Sequence, residues 1–266
     1  RPVVFEENRG TNGIHGHREA HMNTYRFGKH PPKHDYRTLR LKDYLKPGLE
    51  APPAAYDVLP HVYDKLNITK PTELFPMDGN DTLGDCTIAA LAHASTVYHG
   101  LVGNKSIWAE KSVVKLYYHL TGGVDSGLNE LDVLNYWRKN SAAHDKILAY
   151  AAIDVKNHTH LQQAIKIFGG VYLGFQVQQK CLEEFNAGKP WTPGRLTKEG
   201  HAVYAVAYDH DGVTVLTWGN VQKATWAWWD ECVDEAYAIL PAEAKADAFS
   251  GIAFTELQSD LDAVAT

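Results

Sequence analysis

The chain has 266 residues, with 26 Lys and Arg against 32 Asp and Glu, 14 His, three Cys and a formal net charge of -6. That length carries one large domain or two small lobes, and the 22% charged fraction with seven Trp and 14 Tyr excludes a disordered chain. The mildly acidic balance leaves no electrostatic footprint for nucleic acid. The longest apolar runs, Ile147 to Ile153 and Ala202 to Tyr208, are too short to cross a bilayer, so no membrane partner is expected either.

Charge is unevenly distributed. Residues 1–50 carry +4 and the remainder carries -10. The leader is rich in Gly, His, Arg and Pro with little apolar periodicity. It reads as an extended basic arm lying on the acidic body or on a partner, which makes a homo-oligomer or an assembly contact through residues 1–50 an expectation. His15, His17 and His21 are spaced for a metal, but no Cys or carboxylate set completes a site. Nothing in the first 30 residues has the regions of a signal peptide.

Pro47 to Pro60 is a proline-punctuated linker. Thr87 to Tyr98 is apolar on all sides, as a buried helix should be, and Gly100 closes it. Ser106 to Leu120, Asn129 to Lys139 and Leu161 to Phe168 repeat apolar residues at helical spacing. Lys146 to Val155, Val171 to Val177, Ala202 to Asp209 and Val213 to Trp218 read as strands, with Asp211-Gly212 as a hairpin signal. Asp230 to Leu240 reads as a helix capped by Asp230. Helices first and a mostly antiparallel sheet second give an α+β layout in two lobes. The helical lobe covers about 51–140, the β lobe about 141–240, and a C-terminal extension 241–266.

Two features carry chemistry. A Gly/Asn/Asp-rich loop, Met77 to Asp85, runs into the buried helix with Cys86 at the junction, where free N–H groups and the positive end of the helix dipole favour a thiolate. Gly200-His201-Ala202-Val203 places a His where an apolar strand begins, after the polar loop Thr192 to Glu199. A Cys–His pair is a nucleophile with its general base or its imidazolium counter-ion, and a third group has to orient the imidazole.

At these residues the chain resembles the papain-like cysteine peptidases, over most of its length after residue 50. Pro52 to Asp57 resembles the segment that leads into such domains. Gly84-Asp85-Cys86 is similar to the Gly-Ser-Cys that heads the central helix, and Asn80 falls where the family keeps the Gln of the oxyanion hole. Ala164 to Val177 resembles the helix, turn and strand before the catalytic His. Gly200 to Val203 is similar to the His strand, and Val215 to Gly219 to the Asn-Ser-Trp-Gly strand, with Trp218 as the Trp that shields the His. The resemblance implies a two-lobe fold with a central helix headed by Cys86 and an antiparallel β-barrel-like lobe. It implies a thiol hydrolase acting on a peptide or protein through Cys86, His201 and Asn80, without metal or organic cofactor.

The departures are specific. With Trp218-Gly219 in register, Leu216 replaces the orienting Asn and cannot hydrogen-bond an imidazole; Thr217 or Asn220 could take that role in a shifted register. Leu83 stands where the family keeps a further Cys. A divergent bacterial or phage-borne group is implied, cytoplasmic or virion-associated. The alternative is a weakened or inactive papain-fold assembly protein whose arm contacts a partner.

Trp218, Trp226, Trp228 and Trp229 cluster; alternate-face packing on a strand is expected for Trp226 and Trp228. The Gly-rich Thr121 to Asn129 lacks the Lys of a phosphate loop and reads as a connection bordering the cleft. Cys181 and Cys232 are expected as free or partly buried thiols.

Overall fold

The computed structural model describes residues 25–69, 73–143, 145–242 and 252–264. The arm's His15, His17 and His21 lie outside the described residues.

Four α-helices dominate the described part of the first half. Helix α1 (Leu59–Leu66) has Pro60 in its first turn, where a missing N–H costs nothing, and ends at Asn67 with φ 53°. Helix α2 (Cys86–Leu101) is buried almost throughout, as its apolar sequence requires. It runs through Gly100 instead of closing there. A Cβ at Gly100 would stand 2.5 Å from Val62 Cγ1 on α1, so this glycine serves close packing and not termination. Helix α3 (Glu110–Thr121) ends at Gly122 in the left-handed conformation (φ 69°). Helix α4 (Glu130–Lys139) is capped by Asn129, whose side-chain oxygen accepts the Leu131 N–H at 3.0 Å.

The second half is dominated by strands β2 (Ile147–Ala152), β3 (Val171–Gln178), β4 (Leu196–Tyr208), β5 (Gly212–Thr217), β6 (Asn220–Thr225) and β7 (Val233–Pro241). They lie in the order β2-β7-β3-β4-β5-β6, all pairs antiparallel, and β1 (Tyr56–Asp57) adds to β4. The two-lobe α+β fold is thus present, with an open sheet in place of a barrel. Helix α5 (His158–Phe168) packs on β7, β3 and β4, and α2 crosses the sheet at β4. Two short helices, α6 (Cys181–Asn186) and α7 (Trp226–Cys232), and the C-terminal α8 (Phe254–Val264) complete the described chain.

Two segments differ from expectation. Asp230 to Leu240 is not one helix: α7 ends at Cys232 and β7 begins at Val233, paired with both β2 and β3. Trp226 and Trp228 therefore sit on a helix, with Thr225 Oγ1 accepting the Trp228 N–H at 3.1 Å. Strand β4 begins at Leu196, opposite Gln178, so His201 lies inside the strand and not at its start.

The described part of the arm lies on its own chain. Leu41 is wholly buried in a short 3-10 turn, Leu41–Asp43. The Leu39 carbonyl takes the Ala152 N–H (2.8 Å) on edge strand β2, and Tyr44 OH donates to Asp260 of α8 (2.7 Å). These contacts cover a sheet edge that would otherwise offer unpaired backbone groups.

Candidate active site

Cys86 is the first residue of α2 and is buried. The loop before it turns through Asp78 (φ 59°) and Gly79 (φ 90°). The Gly84 N–H donates to Asp125 Oδ1 at 3.0 Å, and Asp125 also takes the Tyr117 hydroxyl at 2.5 Å. The Gly-rich connection between α3 and α4 thus braces the nucleophile loop. Burial pushes the Cys86 thiol up to about 12; the Ala202 N–H opposes this, the Asp85 carboxyl adds to it, and the Gly28 N–H opposes it again. Asp85, itself buried, is pushed up to about 8 by loss of solvent.

His201 on β4 is wholly buried. Its ring stacks on Trp218 (centroids 4.4 Å apart, 24°) and meets the edges of Phe27 and Phe175, each at 5.6 Å. His201 Nε2 lies 2.8 Å from Thr217 Oγ1, and Nδ1 has no hydrogen-bond partner. Burial lowers the imidazole to about 3. At neutral pH the site as described therefore holds a thiol and a neutral imidazole, not an ion pair.

The residue beside His201 is fixed by a turn. Trp218 (φ 46°) and Gly219 (φ 70°) are both left-handed, which makes the β5–β6 connection a two-residue hairpin of type I′. Thr217 is then the last residue of β5 and reaches the imidazole. Leu216 pairs with Tyr204 and is wholly buried in the core. Asn220 stays outside the cluster: it is exposed, and its side-chain oxygen accepts the Val221 N–H at 2.8 Å. Asn80 is buried and donates from Nδ2 to the Leu83 carbonyl (3.0 Å) and the Arg26 carbonyl (3.3 Å).

The chain's own arm, expected on the acidic body or on a partner, runs directly over this site, a placement the sequence did not indicate. Tyr25 stacks on the Trp218 ring (4.8 Å, 20°), and the Arg26 N–H donates to the Asn80 carbonyl at 3.1 Å. Gly28 to His30 pair with Leu128: Leu128 N–H to Gly28 O and His30 N–H to Leu128 O, each 2.9 Å, while the Lys29 N–H donates to Gly200 O at 3.1 Å. Lys29 and Leu128 form an isolated parallel bridge, so the backbone supplies the binding. It needs glycines. A Cβ on Gly28 would come 1.8 Å from the Gly84 carbonyl oxygen; one on Gly127, 2.2 Å from Gly28 O; one on Gly200, 2.5 Å from Lys29 O. The available signal was this set of glycines, scattered through segments otherwise read as loop or strand.

Other chemical groups lie apart from this site. Cys181 and Cys232 are free and buried. Among the described residues, Asp209, His210 and Asp211 are close enough to share an ion. Asp209 Oδ1, however, accepts the Asp211 N–H (2.8 Å) and Gly212 N–H (3.1 Å), which is the turn chemistry of the β4–β5 hairpin. Among the described residues, no helix is long and apolar enough to cross a membrane.

No family model and no curated protein matches the sequence. Solved structures do match. Xylellain, a cysteine protease from Xylella fastidiosa, superposes with a TM-score of 0.62 at 18% identity, covering 82% of this chain and 97% of that one. The cysteine protease and lectin-like domains of Cwp84, a surface layer associated protein of Clostridium difficile, give 0.55 at 16% identity, with 85% and 57% covered. A procathepsin B from Trypanosoma congolense gives 0.55 at 12%, with 84% and 87% covered. The chain has the papain-like cysteine protease fold.

Proposed function

We propose that this protein is a thiol hydrolase of peptide or amide bonds, held latent here by its own residues 25–30. Cys86 Sγ gives its proton to His201 Nδ1 and attacks the carbonyl carbon; Asn80 Nδ2 and the N–H at the head of α2 receive the oxyanion. His201 then protonates the leaving amine, and water, deprotonated by the same imidazole, releases the acid and restores the thiol. The observation that carries this reading is the His201 Nε2–Thr217 Oγ1 contact of 2.8 Å beside an unpartnered Nδ1. With Nε2–H donated to Thr217, the free Nδ1 lone pair is the base, and a hydroxyl does the orienting work that Leu216 could not. Against a non-catalytic papain-fold protein, this supports a working pair.

Latency is supported by the aromatic cover over His201 and by the neutral state that burial imposes on both groups. Two of the similar structures, a procathepsin B and a procathepsin L, are pro-forms by name. The test is a full-length Gly28→Val chain, which has no room against Gly84. Cys86 should be alkylated by iodoacetamide at pH 6 and a mixed peptide-amide pool should be hydrolysed. Both should be lost with His201→Ala, and hydrolysis with Cys86→Ser. Labelling at pH 6 that is slow and indifferent to His201 would overturn the reading.

A further inference from the structure

Lys29 leaves the cleft sideways. Its aliphatic stem passes over Gly174 of β3, where a Cβ would come 1.8 Å from Lys29 Cε, so any other residue at 174 would fill the passage. Its Nζ lies 2.9 Å from Asp234 Oδ1 and 3.0 Å from Glu235 Oε1, both on β7, and donates to the His30 carbonyl at 3.2 Å. A third carboxyl group, that of Glu130 at the start of α4, lies beside the same passage. It is wholly buried, neither oxygen has a hydrogen-bond partner, and Oε1 lies 2.9 Å from the same point above Gly174.

Three carboxyl groups from two distant elements would be a costly choice for an ordinary core. Burial draws the Lys29 ammonium down, but Glu130, Glu235 and Asp234 outweigh it and the net shift is upward, so the cation is held. Glu130 moves the other way from a normal carboxyl: burial, and then Glu235, drive it strongly up. One residue from Lys29, the Gly28 N–H faces the Cys86 sulfur.

We propose that this enclosure is the specificity pocket of the enzyme: a substrate's Lys or Arg side chain, one residue from the bond that Cys86 attacks, takes the place that Lys29 now holds. The proposal rests on the hydrolase reading for its place in a reaction, but the pocket is defined independently of it by Gly174, Glu130, Asp234 and Glu235. Lys29 is then an intramolecular stand-in for substrate. Gly174 provides the length a basic side chain needs, and the carboxylates recognise its charge. A neutral chain of the same length would leave the buried carboxylates without a counter-ion.

The full chain carrying Gly28→Val and Lys29→Met tests this, with Met filling the stem volume without the charge. Cleavage of a peptide-amide set that places Lys, Arg, norleucine or Glu at each residue around the bond should favour Lys and Arg over norleucine by tenfold or more at one position. Glu235→Gln in the same background should reduce that ratio several-fold. Equal rates for Lys and norleucine at every position, in a chain whose Cys86 alkylates, would overturn the pocket and leave the hydrolase standing. If Cys86 does not alkylate, binding of N-acetyl-lysine methylamide against its norleucine analogue, measured by calorimetry, still decides: preference for lysine supports the pocket while the hydrolase fails, and no preference sinks it. Should the double variant not fold, Glu235→Gln alone in the otherwise natural chain should loosen the arm and speed Cys86 labelling several-fold; an unchanged rate counts against the pocket.

Discussion

Gly28 lies so close to Gly84 that a methyl group on its α-carbon would stand 1.8 Å from the Gly84 carbonyl oxygen. The arm and the nucleophile loop touch backbone to backbone, and neither side can yield without moving Cys86 or the arm.

Gly28→Ala should therefore detach residues 25–30 from the cleft. The folded core, which does not include Gly28, should keep its thermal midpoint within a few degrees. Cys86 should become reactive: the pseudo-first-order rate of iodoacetamide labelling at pH 8, followed by mass spectrometry, should rise by roughly tenfold or more over the natural chain, because the buried thiol at about 12 returns toward its ordinary value. An unchanged rate would mean that the arm is not what buries the sulfur.

Thr217 separates orientation from mere filling. Thr217→Ala leaves His201 Nε2 without its 2.8 Å partner, and Thr217→Ser restores one. A lost buried hydrogen bond is worth about 1–3 kcal/mol. In the arm-released background, kcat should fall by roughly 5- to 100-fold in the Ala variant with little change in KM. The Ser variant should recover most of it. A Ser variant as poor as Ala would show that the methyl group, not the hydroxyl, matters.

Acid should open the cleft. In the closed form His201 is held near 3, against an ordinary value of 6.5 once exposed. Between those values the open form binds a proton that the closed form does not. The closed form's advantage is thus complete above 6.5 and is lost as pH falls toward 3, by an amount on the order of a few kcal/mol. Burial raises the Glu235 carboxyl above its ordinary range, so its protonation weakens the Lys29 anchor in the same direction. Labelling of Cys86 by 2,2′-dipyridyl disulfide, which reacts in acid, should accelerate from pH 6.5 to 4 in the natural chain but much less in Gly28→Ala. Parallel profiles for the two chains would refute the linkage.

Gly100 sets helix propensity against packing. Ala is favoured over Gly inside a helix by about 1 kcal/mol. Here the new Cβ would stand 2.5 Å from Val62 Cγ1 across the α1–α2 contact, and such overpacking costs about 1–3 kcal/mol. Gly100→Ala should be net destabilising by about 1 kcal/mol in urea denaturation. A more stable variant would show that α1 moves away freely.

Periodicity and turn chemistry placed α2 to α5, β2 to β5 and the Asp211-Gly212 hairpin, because each has a buried stripe or a turn residue of its own. They failed at Asp230 to Leu240. Strand β7 is buried on both faces over most of its length, and a continuous apolar run does not distinguish strand from helix. Pairing with β2 and β3 decided it.

The amino-acid sequence by itself determined that Cys86 heads a buried helix, that His201 precedes an apolar run, and that Asn80 stands six residues before the thiol, since all three follow from local order. Tertiary structure decided the rest. A two-residue turn at Trp218 and Gly219 chose Thr217 over Leu216 and Asn220 as the partner of His201. In the described part of the basic arm, legible only as charge seeking charge, Lys29 meets acidic residues of its own chain. Glu130 and the Asp234-Glu235 pair lie far apart in sequence and meet around Lys29 only when α4 and β7 pack on either side of Gly174. Local order fixes which groups a segment carries; long-range packing fixes which of them share a solvent-free space, and that decides their charge.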